Sequence, residues 1–85
     1  MAPKIILGIR LNDRNHCAPS LQEILTRHGC SIKTRIGLHD VSDNQCSPSG
    51  TILLELFGAE AALQALEDEL RACPGLDLQK MTFAR

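Results

Sequence analysis

The chain has no tryptophan, no tyrosine and only two phenylalanines, Phe57 and Phe83. Proteins that grip single-stranded nucleic acid stack bases on aromatic faces, and that platform is missing. Positive charge is not in excess either: 9 Lys and Arg stand against 10 Asp and Glu, a net charge of −1. Neutralising a phosphate backbone takes clustered cations, so direct nucleic-acid binding is not expected. No apolar run approaches the roughly 20 residues that span a bilayer, and the opening MAPKIILGIR meets charge too soon to act as a signal peptide. The expectation is a cytoplasmic protein with no membrane association. There the four cysteines, Cys17, Cys30, Cys46 and Cys73, would stay reduced, and none of them forms a CxxC pair, which argues against a disulfide framework. A P-loop, a GxGxxG fingerprint and a nucleophile elbow are all lacking, and 85 residues leave little room for a deep pocket. Neither enzymatic activity nor a cofactor is expected.

What is present reads as one domain over residues 1–85, small enough that association with a second copy would add usefully to its stability. Lys4 to Leu11 alternates around Ile5, Leu7, Ile9 and Leu11, the period-2 pattern of a strand with one buried face. Asn12, Asp13 and Asn15 then offer caps for free backbone N–H groups, and Pro19 is suited to a first helical turn. A helix is expected from about 17 to 28, burying Cys17, Leu21, Ile24, Leu25 and His28, with Gly29 as its left-handed stop. Ile32, Thr34, Ile36 and Leu38 alternate as a second strand, with Lys33, Arg35 and Gly37 on its other side. Residues 38–50, LHDVSDNQCSPSG, read as a long connection with turn chemistry from Asp43, Asn44, Pro48 and Gly50. TILLELF, Thr51 to Phe57, is apolar on both parities except at Glu55, as a central strand would be. The Ala, Leu and Glu-rich segment after Gly58 predicts a second helix, with Leu63, Leu66, Leu70 and Cys73 inward, Glu60, Gln64, Glu67, Asp68 and Arg71 outward, and Pro74-Gly75 as its end. Leu76 to Ala84 closes the chain as a strand whose alternation slips between Leu78 and Met81, the mark of an edge strand or a bulge.

The order βαββαβ predicts an α+β, ferredoxin-like sandwich: a four-stranded antiparallel sheet in order 4-1-3-2 with two helices on one face. That topology gathers the first strand-to-helix turn, the middle hairpin and the end of the second helix at one end of the sheet. His16, Cys17, His39, Cys46 and Cys73 fall there, and His28 and Cys30 at the other end. Two readings of this rim stand open. In the first, the amides opening the first helix receive an anion or the carboxylate of a small ligand, with Asp13, Arg14, Asn15 and His16 supplying specificity and Arg35 contributing from the second strand. In the second, His16, His39 and Cys46, with Cys17 as a further ligand, hold a metal ion, since imidazole and thiolate suit zinc, nickel or copper. The plain alternative makes Cys17 and Cys73 small core residues and Asp13 and Asn15 helix caps. On the far face of the sheet, Ile6, Gly8, Leu53 and Phe57 would need covering, with Arg10, Arg35 and Glu55 available for polar pairing across the contact; a homo-oligomer through the sheet face or edge is expected.

The segments KIILGIRLNDRNHCAPSLQEILTRHG, IKTRIGL, GTILLELFG and ACPGLDLQKM together resemble the small regulator proteins of the iron-only hydrogenase system. These are ACT-like domains, similar also to the C-terminal domain of nickel-responsive repressors. The resemblance covers about Lys4 to Met81, and its most recognisable pieces are Asp13-Arg14 after the first strand, Arg35-Ile36-Gly37, and Pro74-Gly75. It implies a ligand-sensing, self-associating regulatory module that answers a small-molecule effector or a protein partner, with a link to regulation or assembly of the iron-only hydrogenase. The repressors' H-x-H pair and their DNA-binding segment have no counterpart here, and the turn Asp13-Arg14-Asn15-His16 lacks the glycine usual in ACT turns.

Overall fold

In the computed structural model the described residues are 4–11, 14–41 and 46–84, with the side chains of 14–19, 39–41 and 46–49 excepted. The element order is β1 (Lys4–Leu11), α1 (Arg14–Arg27), a short 3-10 turn (Gly29–Ser31), β2 (Ile32–Val41), β3 (Cys46–Leu56), α2 (Glu60–Arg71) and β4 (Leu76–Phe83). The four strands form one antiparallel sheet in the order β2-β3-β1-β4. This is the expected 4-1-3-2 arrangement read from the other edge, and the fold is ferredoxin-like.

The helix-covered side of the sheet is the core. Leu7, Ile9 and Leu11 of β1 and Ile52, Leu54 and Leu56 of β3 meet Leu21, Ile24 and Leu25 of α1 and Leu63, Leu66 and Leu70 of α2 in one buried cluster. Six of these side chains are fully buried, each contributing about 1.5–3 kcal/mol relative to exposure. Both helices therefore lie on one face. Two glycines make the sharp turns that frame α2: Gly58 at φ 122° and Gly75 at φ 83°, values an L side chain resists.

Several elements depart from the expectation, each for a physical reason. α1 begins at Arg14, so Pro19 lies in its second turn, where the missing N–H costs one helical hydrogen bond. Gly29 does not adopt the left-handed conformation; it opens the 3-10 turn, which is fastened by Ser31 N–H to His28 O at 2.9 Å and by Phe57 N–H to Ser31 O at 3.0 Å. Residues 38–50 are not a long loop. β2 runs on to Val41 and β3 starts at Cys46, with the two strands paired from Ile32↔Leu56 to Val41↔Cys46, so all but residues 42–45 of the expected connection is strand. Between His39↔Gly50 and Val41↔Cys46 the β3 side carries two extra residues, and Pro48, which has no N–H to give, falls in that irregular stretch.

A second irregularity redirects β2. Ile32 pairs with Leu56 and Thr34 with Glu55, so Lys33 is an extra, bulged residue. Ile32 joins the core, whereas Thr34, Ile36 and Leu38 pass to the face away from the helices, and the four do not share one side as their alternation suggested. β4 pairs with β1 from Lys4↔Phe83 to Leu11↔Leu76 without a shift. It is an edge strand with no bulge, and its apparent slip is Lys80 lying on the helix side.

Candidate functional site

The rim that the sequence singled out is assembled by register. Leu11 pairs with Gly50 and with Leu76, and Gly50 pairs with His39. His39, Gly50, Leu11 and Leu76 thus form the last row that crosses all four strands, with His39 and Leu11 about two strand spacings, roughly 10 Å, apart. α1 begins at Arg14, three residues after Leu11. The first strand-to-helix turn, the base of the β2–β3 hairpin, the end of α2 and the start of β4 are therefore neighbours. Beyond this row β2 and β3 continue as a two-stranded arm ending in the Val41↔Cys46 pair.

Asp13 lies outside the described residues, as do the side chains of Arg14, Asn15, His16, Cys17, His39 and Cys46. Their backbone places Arg14 to Cys17 in the opening turn of α1, His39 in the last shared row, and Cys46 at the start of β3. Arg35 is fully described: it pairs with Leu54 on the helix side of the exposed edge of β2, two alternation steps from His39. It therefore does not reach the far face, where pairing across a contact had been expected of it. Cys73 is half-buried against the core, the small apolar role foreseen for it, and Cys30 is exposed at the opposite end. Among the described residues, no three His, Cys, Asp or Glu side chains gather as a metal ion would require.

The described side chains hold three charged clusters whose partners the sequence did not reveal. On the helix side, Glu67 is buried, 8% exposed, although its polarity placed it outward. Its carboxylate accepts from Lys80 Nζ at 2.9 Å and Arg71 Nε at 2.9 Å, and these bonds, Lys80 first, hold the carboxyl below its ordinary value of 4.5 against the opposing effect of burial. Counting position instead of polarity would have found it, since Leu63, Leu66, Glu67 and Leu70 follow the i, i+3, i+4, i+7 rule. A shallow groove of about 230 Å³ runs beside it between α2 and β4, floored by Ile5 and Leu63.

At the far end of the sheet, His28 Nε2 bonds Glu69, which also accepts from Arg27 Nη1 at 2.6 Å. The pair His28 and Arg27 lowers the Glu69 carboxyl, His28 contributing most, and ties the end of α1 to α2. On the helix-free face, Glu55 accepts from Lys4 Nζ at 2.7 Å and from the Thr34 hydroxyl at 2.9 Å, with Lys33 Nζ at 4.0 Å. Lys4 and then Thr34 hold its carboxyl low. Arg10 Nη1 donates to Thr51 Oγ1 at 2.9 Å on the same face. Glu55 and Arg10 are thus bonded within the chain instead of waiting for a partner.

No described helix is long and apolar enough to cross a membrane. No family model matches the chain, and no curated protein sequence does. Solved structures do. An uncharacterised protein of Thermotoga maritima superposes with a TM-score of 0.77 at 22% identity, over 93% of this chain and 94% of that one. A nitrogen regulatory PII-like protein of Thiomonas intermedia K12, bound to ADP, AMP and bicarbonate, gives 0.56 at 18% identity over 98% and 94%. An ACT domain protein of Streptococcus pneumoniae gives 0.55 at 14% identity over 96% and 91%. At these identities the likeness is one of fold, and the chain has the ferredoxin-like fold that ACT and PII-like proteins share.

Proposed function

We propose that this chain is a non-enzymatic regulatory module of the cytoplasm that self-associates and senses a small ligand at the rim where the β1–α1 turn meets the β2–β3 hairpin. The observation that carries the reading is the row His39–Gly50–Leu11–Leu76, which brings the opening turn of a 14-residue helix beside the hairpin base. Free amides at a helix start favour an anion or carboxylate, and Arg14, Asn15 and His16 lie in that turn, with Asp13 just before it. Similarity in fold to a PII-like protein bound to adenine nucleotides and bicarbonate supports small anions as the ligand class. The resemblance to regulators of the iron-only hydrogenase system adds that enzyme's machinery as the partner that would read the ligand state.

The test is thermal shift against a panel of amino acids, adenine nucleotides and bicarbonate, because a ligand that binds only the folded form raises Tm, by about 2.7 kcal/mol of added stability at a hundredfold excess over Kd. At least one member should raise the Tm of the wild-type chain and fail to do so with Arg14→Ala. A panel that leaves Tm unmoved at millimolar concentrations sinks the reading.

A metal-sensing reading with His16, His39 and Cys46 draws on the same rim, and specifically on the pairing that sets Cys46 opposite Val41, two residues from His39. Zinc and nickel titration of tag-free protein distinguishes it. Stoichiometric binding abolished by His39→Ala would favour the metal, and no binding removes it.

A further inference from the structure

We infer that the helix-free face of the sheet is the surface on which a second copy of this chain packs, face against face. This deepens the self-associating part of the reading above and rests on it; the ligand-sensing part is independent.

The register assigns the residues of that face. From one end its rows are Lys4–Phe83, Thr34–Glu55–Ile6–Met81, Ile36–Leu53–Gly8–Gln79 and Leu38–Thr51–Arg10–Asp77, and Phe57, one residue past the end of β3, extends the first row by the alternation of Leu53 and Glu55. All five large hydrophobic side chains found exposed among the described residues, Ile36, Leu38, Phe57, Met81 and Phe83, are in these rows, each about half exposed. Ile6 and Leu53, half-buried, fill the middle. Isolated exposed apolar side chains are ordinary, but a contiguous set confined to one flat face marks an interface.

Charge identifies the occupant. The rows contain two cations, Lys4 and Arg10, and two anions, Glu55 and Asp77, so the rows are neutral in sum, and Lys33, reaching Glu55 from the rim, adds a single positive charge. A phosphate backbone or an anionic membrane needs a cationic surface, and a strongly charged protein partner needs the opposite sign; a neutral face fits another neutral face. The central charges also bring their own partners. Glu55 is bonded to Lys4 and Thr34, and Arg10 to Thr51, so water can leave the middle of the face without stranding these ions, while Asp77 lies at the edge on β4. Area agrees: four strands about 4.8 Å apart and eight residues long at about 3.3 Å each present on the order of 500 Å² of sheet, more once side-chain relief is counted. Doubled, that meets the roughly 1,000 Å² a specific contact requires.

Ile36 and Met81 stand on the two opposite edge strands of this face, about three strand spacings, roughly 14 Å, apart. Pairing through one edge would be sensitive to one of them; packing through the face is sensitive to both. Sedimentation of the full chain should give twice the 9.3 kDa monomer mass or an even multiple of it. Ile36→Lys and Met81→Lys should each halve that mass at equal concentration, while Thr82→Lys, next to Met81 but on the helix side, should leave it unchanged. Met81 provides a readout that needs no variant: its oxidation to the sulfoxide by hydrogen peroxide should slow several-fold as wild-type protein is concentrated through the association range. Dissociation by one edge variant alone, or an oxidation rate independent of concentration in an oligomeric protein, overturns the face and leaves self-association standing. A wild-type chain that stays monomeric to millimolar concentration overturns both.

Discussion

The two faces of this sheet are built by the same strands and meet opposite fates. On β3, Leu54 is fully buried beneath the helices, and its neighbour Leu53 points the other way, half-buried in a face no helix covers. Both faces are apolar, yet only one is enclosed by the chain itself. The difference teaches that apolar character on both parities of a central strand specifies burial twice over, once by folding and once by contact. The inner face should therefore govern whether the chain folds, and the outer face what the folded chain meets.

The sharpest break is the pair Leu54→Ala and Leu53→Ala. Removing Leu54 should cost about 3–4 kcal/mol, close to the whole stability of a small domain, because it opens a cavity in the packed layer. Leu53→Ala should cost under about 1 kcal/mol in dilute protein. Equal losses in a urea titration would erase the distinction between the faces.

Next in size is Glu67→Ala, expected to cost about 1–2 kcal/mol because Lys80 and Arg71 lose a shared, buried acceptor. A neutral result would mean that Glu67 is placed by the stripe and contributes nothing as an ion pair. Arg27→Ala, which leaves Glu69 bonded to His28 at the exposed end of α1, should lower the melting midpoint only slightly.

Acid gives a comparison without mutation. Glu55 on the outer face and Glu67 and Glu69 on the helix side all have carboxyls held below the ordinary 4.5. A carboxyl lowered by folding stabilises the native state above its unfolded value, and that contribution disappears as pH falls through the folded value. Stability should hold through neutral pH and decline below about 4.5, and Glu55→Gln should flatten the decline without removing it, since Glu67 and Glu69 remain. A stability that rises on acidification would reverse the sign and contradict the three clusters.

Much of this was legible in the sequence. The bounds of β1, the strand order and the turn at Pro74-Gly75 follow from alternation, element order and glycine geometry. The hairpin was not legible, because Pro48 and Gly50 read as loop punctuation when they stand alone but are accommodated in a strand that carries extra residues there. Nor was the face of β2, since a bulge changes parity without altering composition. Apart from Arg71, four positions from Glu67 and readable as a helical neighbour, the bonds to Glu67, Glu69 and Glu55 join residues 13 to 51 positions apart, and a partner that distant cannot be read locally. Of the rim, the sequence supplied the neighbours and the topology, and the backbone agrees on both; the side chains of Asp13 to His16, proposed to meet the ligand, fall outside the described residues.

The bulged Lys33 sets the reading frame of an edge. Laid flat against β3 with every residue in step, β2 would turn Thr34, Ile36 and Leu38 under the helices and present Lys33, Arg35 and Gly37 outside, a cationic stripe where there is now a greasy one. One looped-out lysine thus decides which of two chemically different surfaces this fold shows to its surroundings. A single-residue insertion or deletion between Ile32 and Thr34 would be enough to exchange the stripe that β2 shows on the outer face for the one it now keeps on the helix side.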